Sequence, residues 1–186
     1  KEYLNNNNWY NAENTEVHLI KGGEYVTLIF NDDKSTPKYI KNDEIKSIKK
    51  ELKNKIKLIF IGNRITSIED NAFTDGDSGA ENLEDLVFEP GSNLKTIGKR
   101  AFQNNSKLAG TLTIPASVET IDSGAFYRCS SLTSLVFEAG SRLKKIGDGA
   151  FWIEPYRSNL TGTLTIPASV KMIGSYAFFG CNSVSY

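Results

Sequence analysis

The sequence has few of the side chains that most often carry chemistry. Its 186 residues include one histidine, two cysteines and one methionine. Two cysteines cannot build a disulfide scaffold. The single histidine, His18, stands in a predicted strand. The sequence offers no residue that could serve as its catalytic partner, so we expect it to be structural. The sequence therefore predicts no catalytic residues, no metal site and no cofactor, and we expect that the protein is not an enzyme.

Net charge and long apolar runs are also missing. Lys and Arg number 22, and Asp and Glu also number 22, so no strong field favours nucleic acid or an anionic membrane surface. The longest apolar run, at residues 58–62, is far shorter than the roughly 18 residues of a membrane-spanning helix. We expect neither a nucleic-acid partner nor membrane insertion in this segment. The chain opens on Lys1 without a visible export signal, so we expect an excised piece or a mature form.

One acidic segment has a weak metal-binding pattern. Asp75, Asp77 and Glu81 are spaced somewhat like the ligands of a calcium loop. The segment lacks the full twelve-residue pattern of such a loop. It is predicted to be a solvated insertion, with calcium binding as the alternative.

What the sequence does contain is a repeat. The nonapeptide GTLTIPASV occurs at 110–118 and again at 162–170. The dipeptide Ala-Phe sets a wider frame, because it occurs five times and an Ile always lies four residues before its Ala. These isoleucines are Ile68, Ile97, Ile121, Ile146 and Ile173. A repeat of 24 to 29 residues indicates a solenoid.

Five units share this frame over residues 56–183, and they alternate in two types. Units three and five contain GTLTIPASV, whereas units two and four contain LVFEPGSNLKTIG and LVFEAGSRLKKIG. Each unit has a two-step apolar pair, which predicts a strand with one buried face. In unit three this pair is Leu112 and Ile114, and Pro115 then ends the strand.

The rest of each unit is predicted to return the chain to the next strand. In unit three, Val118 and Ile121 point inward from a second extended piece. Gly98, Gly147 and Gly174 follow the frame isoleucine in three units and predict a tight corner with positive φ. A short helical turn then carries the Ala-Phe pair. The phenylalanines are expected to stack along the axis: Phe73, Phe102, Phe126, Phe151 and Phe178.

The two cysteines occupy one frame position in units three and five. Two steps of a stack place Cys129 and Cys181 about 10 Å apart. A disulfide needs Cα atoms within about 7 Å, so both thiols are predicted to be free. Asn105 holds the same position in unit two, which predicts a small buried side chain whose polar atom contacts the backbone.

Residues 1–55 lie outside the repeat. Two strands flanking Lys21, Gly22 and Gly23 predict a hairpin, and residues 43–55 predict a helix. We interpret residues 1–55 as the cap of the solenoid or as the tail of a preceding domain, and residues 56–186 as the array. Because Tyr186 leaves a bare coil edge, we expect the natural protein to continue or to close with an atypical coil.

The phrase LTIPASVETIDSGAFYRCSSL resembles the leucine-rich repeats of the BspA-like bacterial surface proteins. The resemblance covers about two thirds of the chain. It implies a right-handed leucine-rich-repeat solenoid of short parallel β-strands and short helical turns. The hairpin and helix predicted within residues 1–55 add a small α+β N-terminal cap to this fold. It also implies a bacterial cell-surface or secreted location and adhesion to proteins of a host or of neighbouring cells.

Three functions are compatible with the sequence: a non-catalytic module that binds a protein partner, a structural spacer that carries another domain, and an enzyme within residues 1–55. We favour the first. The predicted binding row comprises the outward residues of the first strands: Phe60, Val87, Glu89, Thr113, Val136, Glu138 and Thr165. The alternative is an ordinary β-branched sheet face that reflects strand propensity alone.

Overall fold

The computed structural model describes residues 7–12, 15–22, 25–31, 38–40, 56–74, 82–154, 158–181 and 184–185. Strands and turns make up the described chain, and no helix occurs within it. The helix predicted over 43–55 and the acidic segment 75–81 lie outside the described residues.

The chain begins with an antiparallel meander. Strands β1 (Asn7–Ala12), β2 (Thr15–Gly22) and β3 (Tyr25–Asn31) pair in sequence order. The hairpin predicted from the sequence is the β2–β3 pair and is confirmed. His18 lies in β2, as predicted, with its backbone opposite Trp9 and Ile29.

Each sequence unit forms one coil of the solenoid, and the coils keep the numbers of the units. Each coil contributes two strands, which stack on the equivalent strands of the neighbouring coils. The first strands are β5 (Ile56–Ile61), β7 (Asp85–Phe88), β9 (Gly110–Ile114), β11 (Leu132–Phe137), β13 (Gly162–Thr163) and β15 (Val184–Ser185). The second strands are β4 (Lys38–Ile40), β6 (Ile65–Ile68), β8 (Thr96–Ile97), β10 (Thr120–Ile121), β12 (Lys145–Ile146) and β14 (Met172–Ile173).

The second strands form one uninterrupted parallel sheet in the order β14-β12-β10-β8-β6-β4. The frame isoleucines lie opposite one another in it, from Ile68 and Ile97 through to Ile146 and Ile173. Coils one to four bury this side chain completely, whereas Ile173 of coil five is 50% exposed. The register confirms the frame that the sequence predicted.

The first strands form an interrupted sheet. Its parts are β1-β2-β3-β5-β7, β9-β11 and β13-β15, so pairing stops between coils two and three and between coils four and five. At paired junctions the residue after the strand donates to the preceding coil, as Glu138 N does to Ile114 O at 3.0 Å. Pro115 and Pro167 hold that position in coils three and five, and proline has no N–H to donate.

Both strand columns extend into the N-terminal segment. β3 pairs in parallel with β5, which places Leu28 opposite Ile59, and β4 pairs with β6, which places Ile40 opposite Ile68. Strands β3 and β4 therefore hold the positions of an additional coil. The Ala-Phe frame does not include this additional coil, although the alternation of Leu28 and Phe30 is typical of a first strand. The division of the chain at residue 55 stays a prediction.

The corner after each second strand differs from the predicted one. Positive φ occurs three residues after the frame isoleucine, at Asn71, Arg100, Gly124, Gly149 and Tyr176. The glycines predicted for this role, Gly98, Gly147 and Gly174, do not have positive φ. They are needed for close approach, because a Cβ at Gly98 would lie 2.6 Å from the carbonyl carbon of Glu69 in the preceding coil.

The Ala-Phe segments are turns, so the predicted helical turns are wrong in detail. Ala101 N donates to Gly98 O at 3.2 Å, which closes one turn. The amides on either side, of Arg100 and Phe102, donate to Ser123 and Ala125 of the next coil. A residue in the left-handed region interrupts each turn, and amides that alternate between the turn and the next coil cannot build a helix.

The predicted phenylalanine stack is confirmed. Phe73, Phe102, Phe126, Phe151 and Phe178 lie one above another, with successive ring centroids 5.1, 5.2, 5.4 and 5.4 Å apart. The last three ring pairs are within 5° of parallel. Because each coil supplies one ring, the stack ties the coils into a common core.

In three coils, a buried side chain with a polar atom lies three residues after the stacked phenylalanine. Asn105 donates from Nδ2 to Phe73 O at 2.8 Å and to Phe102 O at 2.9 Å. The thiol of Cys129 donates to Phe102 O, and that of Cys181 to Phe151 O. This confirms the predicted contact with the backbone, and both cysteines are free, as predicted. Coil four has Glu154 at this position.

Both thiols are expected to be unreactive in the folded protein. Burial raises the pKa of the Cys129 thiol to about 12 and that of Cys181 to about 11. Only the thiolate is nucleophilic, so iodoacetamide at pH 8 should label neither cysteine until the protein unfolds. In denaturant without reductant, labelling should count two thiols by mass spectrometry. Rapid labelling of the native protein would contradict the buried register.

Candidate binding surfaces

The described part of the array offers no metal-binding cluster. Within 56–74, 82–154 and 158–181, no three His, Cys, Asp or Glu side chains come together as a metal site. In the same described residues, no helix has the length and apolar character needed to cross a membrane. The calcium alternative at Asp75, Asp77 and Glu81 lies outside the described residues. Candidate sites are therefore surfaces.

Four residues of the predicted row form two registered pairs, and Thr165 lies apart from them. Phe60 lies opposite Val87 on β5 and β7, and Thr113 lies opposite Val136 on β9 and β11. Val87 is 36% exposed and Val136 is 42% exposed, whereas Phe60 is half-buried. Thr165 is exposed but follows β13 instead of lying in it. The row is interrupted where the sheet is interrupted.

The two glutamates of the row have structural contacts. Glu89 accepts a hydrogen bond from Asn63 N at 2.7 Å, and Glu138 accepts one from Ala116 N at 2.9 Å. Each carboxylate thus satisfies a backbone amide of the preceding coil, just beyond the end of its strand. In the folded chain they already have a donor, which sequence spacing alone does not reveal.

The interruption between coils four and five opens a cleft on the strand face. Val136 and Glu138 line one side of the cleft, and Thr163, Thr165 and Pro167 line the other. Three residues of the predicted row therefore border one recess. The cleft follows from the missing amide of Pro167, which leaves the two coils unpaired at this point.

A second surface, on the turn side, was missed by the sequence analysis. Four aromatic rings meet there: Trp152 contacts Tyr127, Tyr176 and Phe179, with centroids 5.3, 5.8 and 5.6 Å away. Tyr176 is 66% exposed and Phe179 is 42% exposed. Arg128 lies over the Tyr127 ring, 5.1 Å from its centroid. The signal was available, because three of these aromatics share one frame position, one residue after the stacked phenylalanine.

The repeat also matches a known family. A model described as the BspA type leucine-rich repeat region matches residues 46–185 in six copies. The chain belongs to this family. The BspA-type model counts one copy more than the five units of the Ala-Phe frame. The resemblance seen in the sequence is thereby confirmed.

Crystal structures of bacterial leucine-rich-repeat proteins share the fold of this BspA-type chain. The pneumococcal vaccine antigen PcpA is 22% identical over 95% of this chain and 48% of its own, with a TM-score of 0.61. The leucine-rich repeat protein TpLRR of T. pallidum is 22% identical over 95% of this chain and 69% of its own, with a TM-score of 0.58. At these identities the similarity shows the fold alone.

A third related structure is a leucine-rich cell surface protein of Faecalibacterium prausnitzii. It is 20% identical over 95% of this chain and 53% of its own, with a TM-score of 0.53. The BspA-type chain thus spans about half the length of this protein and of PcpA. No curated protein matches it at a significant level.

Proposed function

We propose that this BspA-type array is a non-catalytic binding module of a bacterial cell-surface or secreted protein, and that it recognises a protein partner through its strand face. Family membership supports a protein-binding role. Two structural relatives, one a vaccine antigen and the other a cell surface protein, favour a surface location. The alternative function is a spacer that displays another domain of a longer protein.

The observation that carries the proposal is the exposure of apolar residues on the strand face. Val87 and Val136 keep 36% and 42% of their surface in contact with water. Each lies in register beside another outward residue, Phe60 or Thr113. Removing such side chains from water on binding is favourable, and solenoids present extended faces of this kind to partners.

The deciding variant is Val87→Thr with Val136→Thr, extended by Phe60→Ser in a triple variant. Binding should be measured on immobilised fibronectin, laminin and collagen by surface plasmon resonance. We expect the double variant to weaken capture about tenfold, because two central apolar contacts are lost. Its thermal midpoint should change little, because both valines are largely exposed.

The matched control is Phe179→Ser. Phe179 is 42% exposed, like Val136, but lies on the turn side. It should leave capture unchanged. Loss of capture in this control, with full capture by the double valine variant, would contradict a strand-face site. No capture of any of these proteins by the wild-type array would favour the spacer.

A further inference from the structure

The turn side contains a trough whose floor is made by two glycines. The left-handed position of each coil lies in one column along the axis, with φ of 55° at Arg100, 64° at Gly124, 57° at Gly149 and 57° at Tyr176. The two inner coils have no side chain in this column, whereas the two outer coils have large ones. The trough therefore spans coils two to five, and three steps of the stack give it a length of about 15 Å.

Aromatic side chains form one wall of the trough. A Cβ on Gly149 would lie 3.4 Å from Trp152 Cε3, and a Cβ on Gly124 would lie 3.4 Å from Arg100 Cγ and 3.7 Å from Tyr127 Cβ. The rings therefore rise directly beside the floor. The residues that precede the column in each coil also line the trough: Lys99, Ser123, Asp148 and Ser175.

Charge in the trough is concentrated at its coil-two end. Among the described residues no ion pair involves Lys99 or Arg100, and both are exposed. Three carboxylates lie nearby, and each accepts a hydrogen bond within the chain. Asp70 accepts from the backbone N of Lys99 at 2.7 Å. Asp148 accepts from Ser175 N at 2.8 Å, and Asp122 accepts from Lys145 Nζ at 3.0 Å.

Arg128 contributes a third cation, which is neutralised. Its Nη2 pairs with Glu154 Oε1 at 2.5 Å, and its guanidinium lies over the Tyr127 ring. The trough thus has at one end two cations that form no ion pair among the described residues. Aromatic rings lie along one wall, the carboxylate of Asp148 lines the trough farther along, and Tyr176 stands at the other end. Hydroxyl and amide groups of Ser123, Ser175 and Gln103 border the remaining space.

We propose that this trough binds an acidic oligosaccharide that contains uronic acid. Its carboxylate pairs with Lys99 and Arg100, and its sugar rings pack against Tyr127 and Trp152. Charge complementarity selects an acidic ligand. Aromatic rings beside polar side chains suit a sugar, which has apolar ring faces and hydroxyl edges.

The backbone of the floor argues against an acidic peptide. An extended peptide gains affinity mainly from main-chain hydrogen bonds to an open strand edge. Here Gly124 N already donates to Asp148 O, and Gly149 N donates to Ser175 O, both at 2.9 Å. The floor therefore offers a peptide no free amide at these two residues, whereas a sugar recognised by side chains needs none.

The test titrates the full chain with three tetramers by isothermal calorimetry: hyaluronan tetrasaccharide, neutral chitotetraose and tetraglutamate. We expect the hyaluronan tetramer to bind at least tenfold more tightly than either of the others. Two variants then probe the site. Arg100→Asn removes a cation and should weaken binding about tenfold. Gly124→Asn places a side chain on the floor and should abolish it.

Both variants use a side chain that the column already accommodates, since Asn71 has φ of 58° at the equivalent position. Thermal midpoints near the wild-type value will show that they fold. The Val87→Thr, Val136→Thr variant should bind hyaluronan normally, which separates this proposal from the strand-face function. Equal binding of tetraglutamate or chitotetraose, no binding of hyaluronan, or unchanged affinity in both trough variants would overturn it.

Discussion

Phe126→Ala is expected to lower the free energy of unfolding by about 3–5 kcal/mol. Phe126 is 1% exposed and lies between Phe102 and Phe151, with centroid distances of 5.2 and 5.4 Å. Truncation removes the apolar surface of one ring, leaves a cavity in the middle of the stack and ends two ring contacts. Urea denaturation followed by circular dichroism measures the loss.

Phe179→Ala is the control for this experiment. Phe179 belongs to the same Ala-Phe segment type but is 42% exposed, and its ring touches Trp152 and Tyr176 at the surface. Its loss should cost about 1 kcal/mol or less. Similar losses in the free energy of unfolding for the two variants would mean that a stacked ring stabilises the core no more than a surface ring does. A broadened transition in the Phe126 variant would show that the coils on either side unfold separately.

Asn105→Ala is expected to cost about 1–3 kcal/mol, the second largest effect on stability. The buried Nδ2 of Asn105 donates to the carbonyls of Phe73 and Phe102, which belong to two successive coils. Alanine takes this donor away from both buried carbonyls and leaves a small cavity beside them. The same denaturation experiment measures the effect.

Asn105→Cys is the matched variant, because the chain itself uses cysteine at this position in two other coils. The thiol of Cys129 donates to Phe102 O at 3.2 Å, in the same arrangement. We expect the cysteine variant to retain most of the stability that alanine loses. If both variants lost the same amount, the single bond of a thiol and its larger volume would contribute nothing here, and stability would depend on the two bonds of the Asn105 amide.

The frame, the stack and the buried polar position could be predicted from the sequence because each depends on residue type at a repeated spacing. Ile97 and Ile121, or Phe102 and Phe126, must occupy equivalent places if the coils stack at all. The interruption of the first sheet could also have been predicted, since Pro115 and Pro167 have no N–H to donate. It was missed because a proline was interpreted only as the end of its own strand.

The corner geometry and the trough could not be obtained in the same way. Gly98 and Gly124 are both glycines three or fewer residues after a frame isoleucine, yet only Gly124 has positive φ. Sequence spacing does not distinguish a glycine required by φ from one required by a neighbouring backbone. The glutamates of the strand row show the same limit, because their bonds to Asn63 N and Ala116 N link turns that are 26 and 22 residues away.

The two strand columns give the array unequal stiffness on its two sides. The column of second strands is hydrogen-bonded without a gap from β4 to β14, whereas the ladder of the other column stops beside Pro115 and Pro167. At these two junctions the bonds from Ala109 N to Glu84 O and from Thr161 N to Thr133 O cross between the coils before the proline. A rod bonded continuously along one side bends most easily by opening the other. We therefore expect the array to bend under load mainly at these two junctions, which are two coils apart, and the cleft beside Val136 lies at one of them.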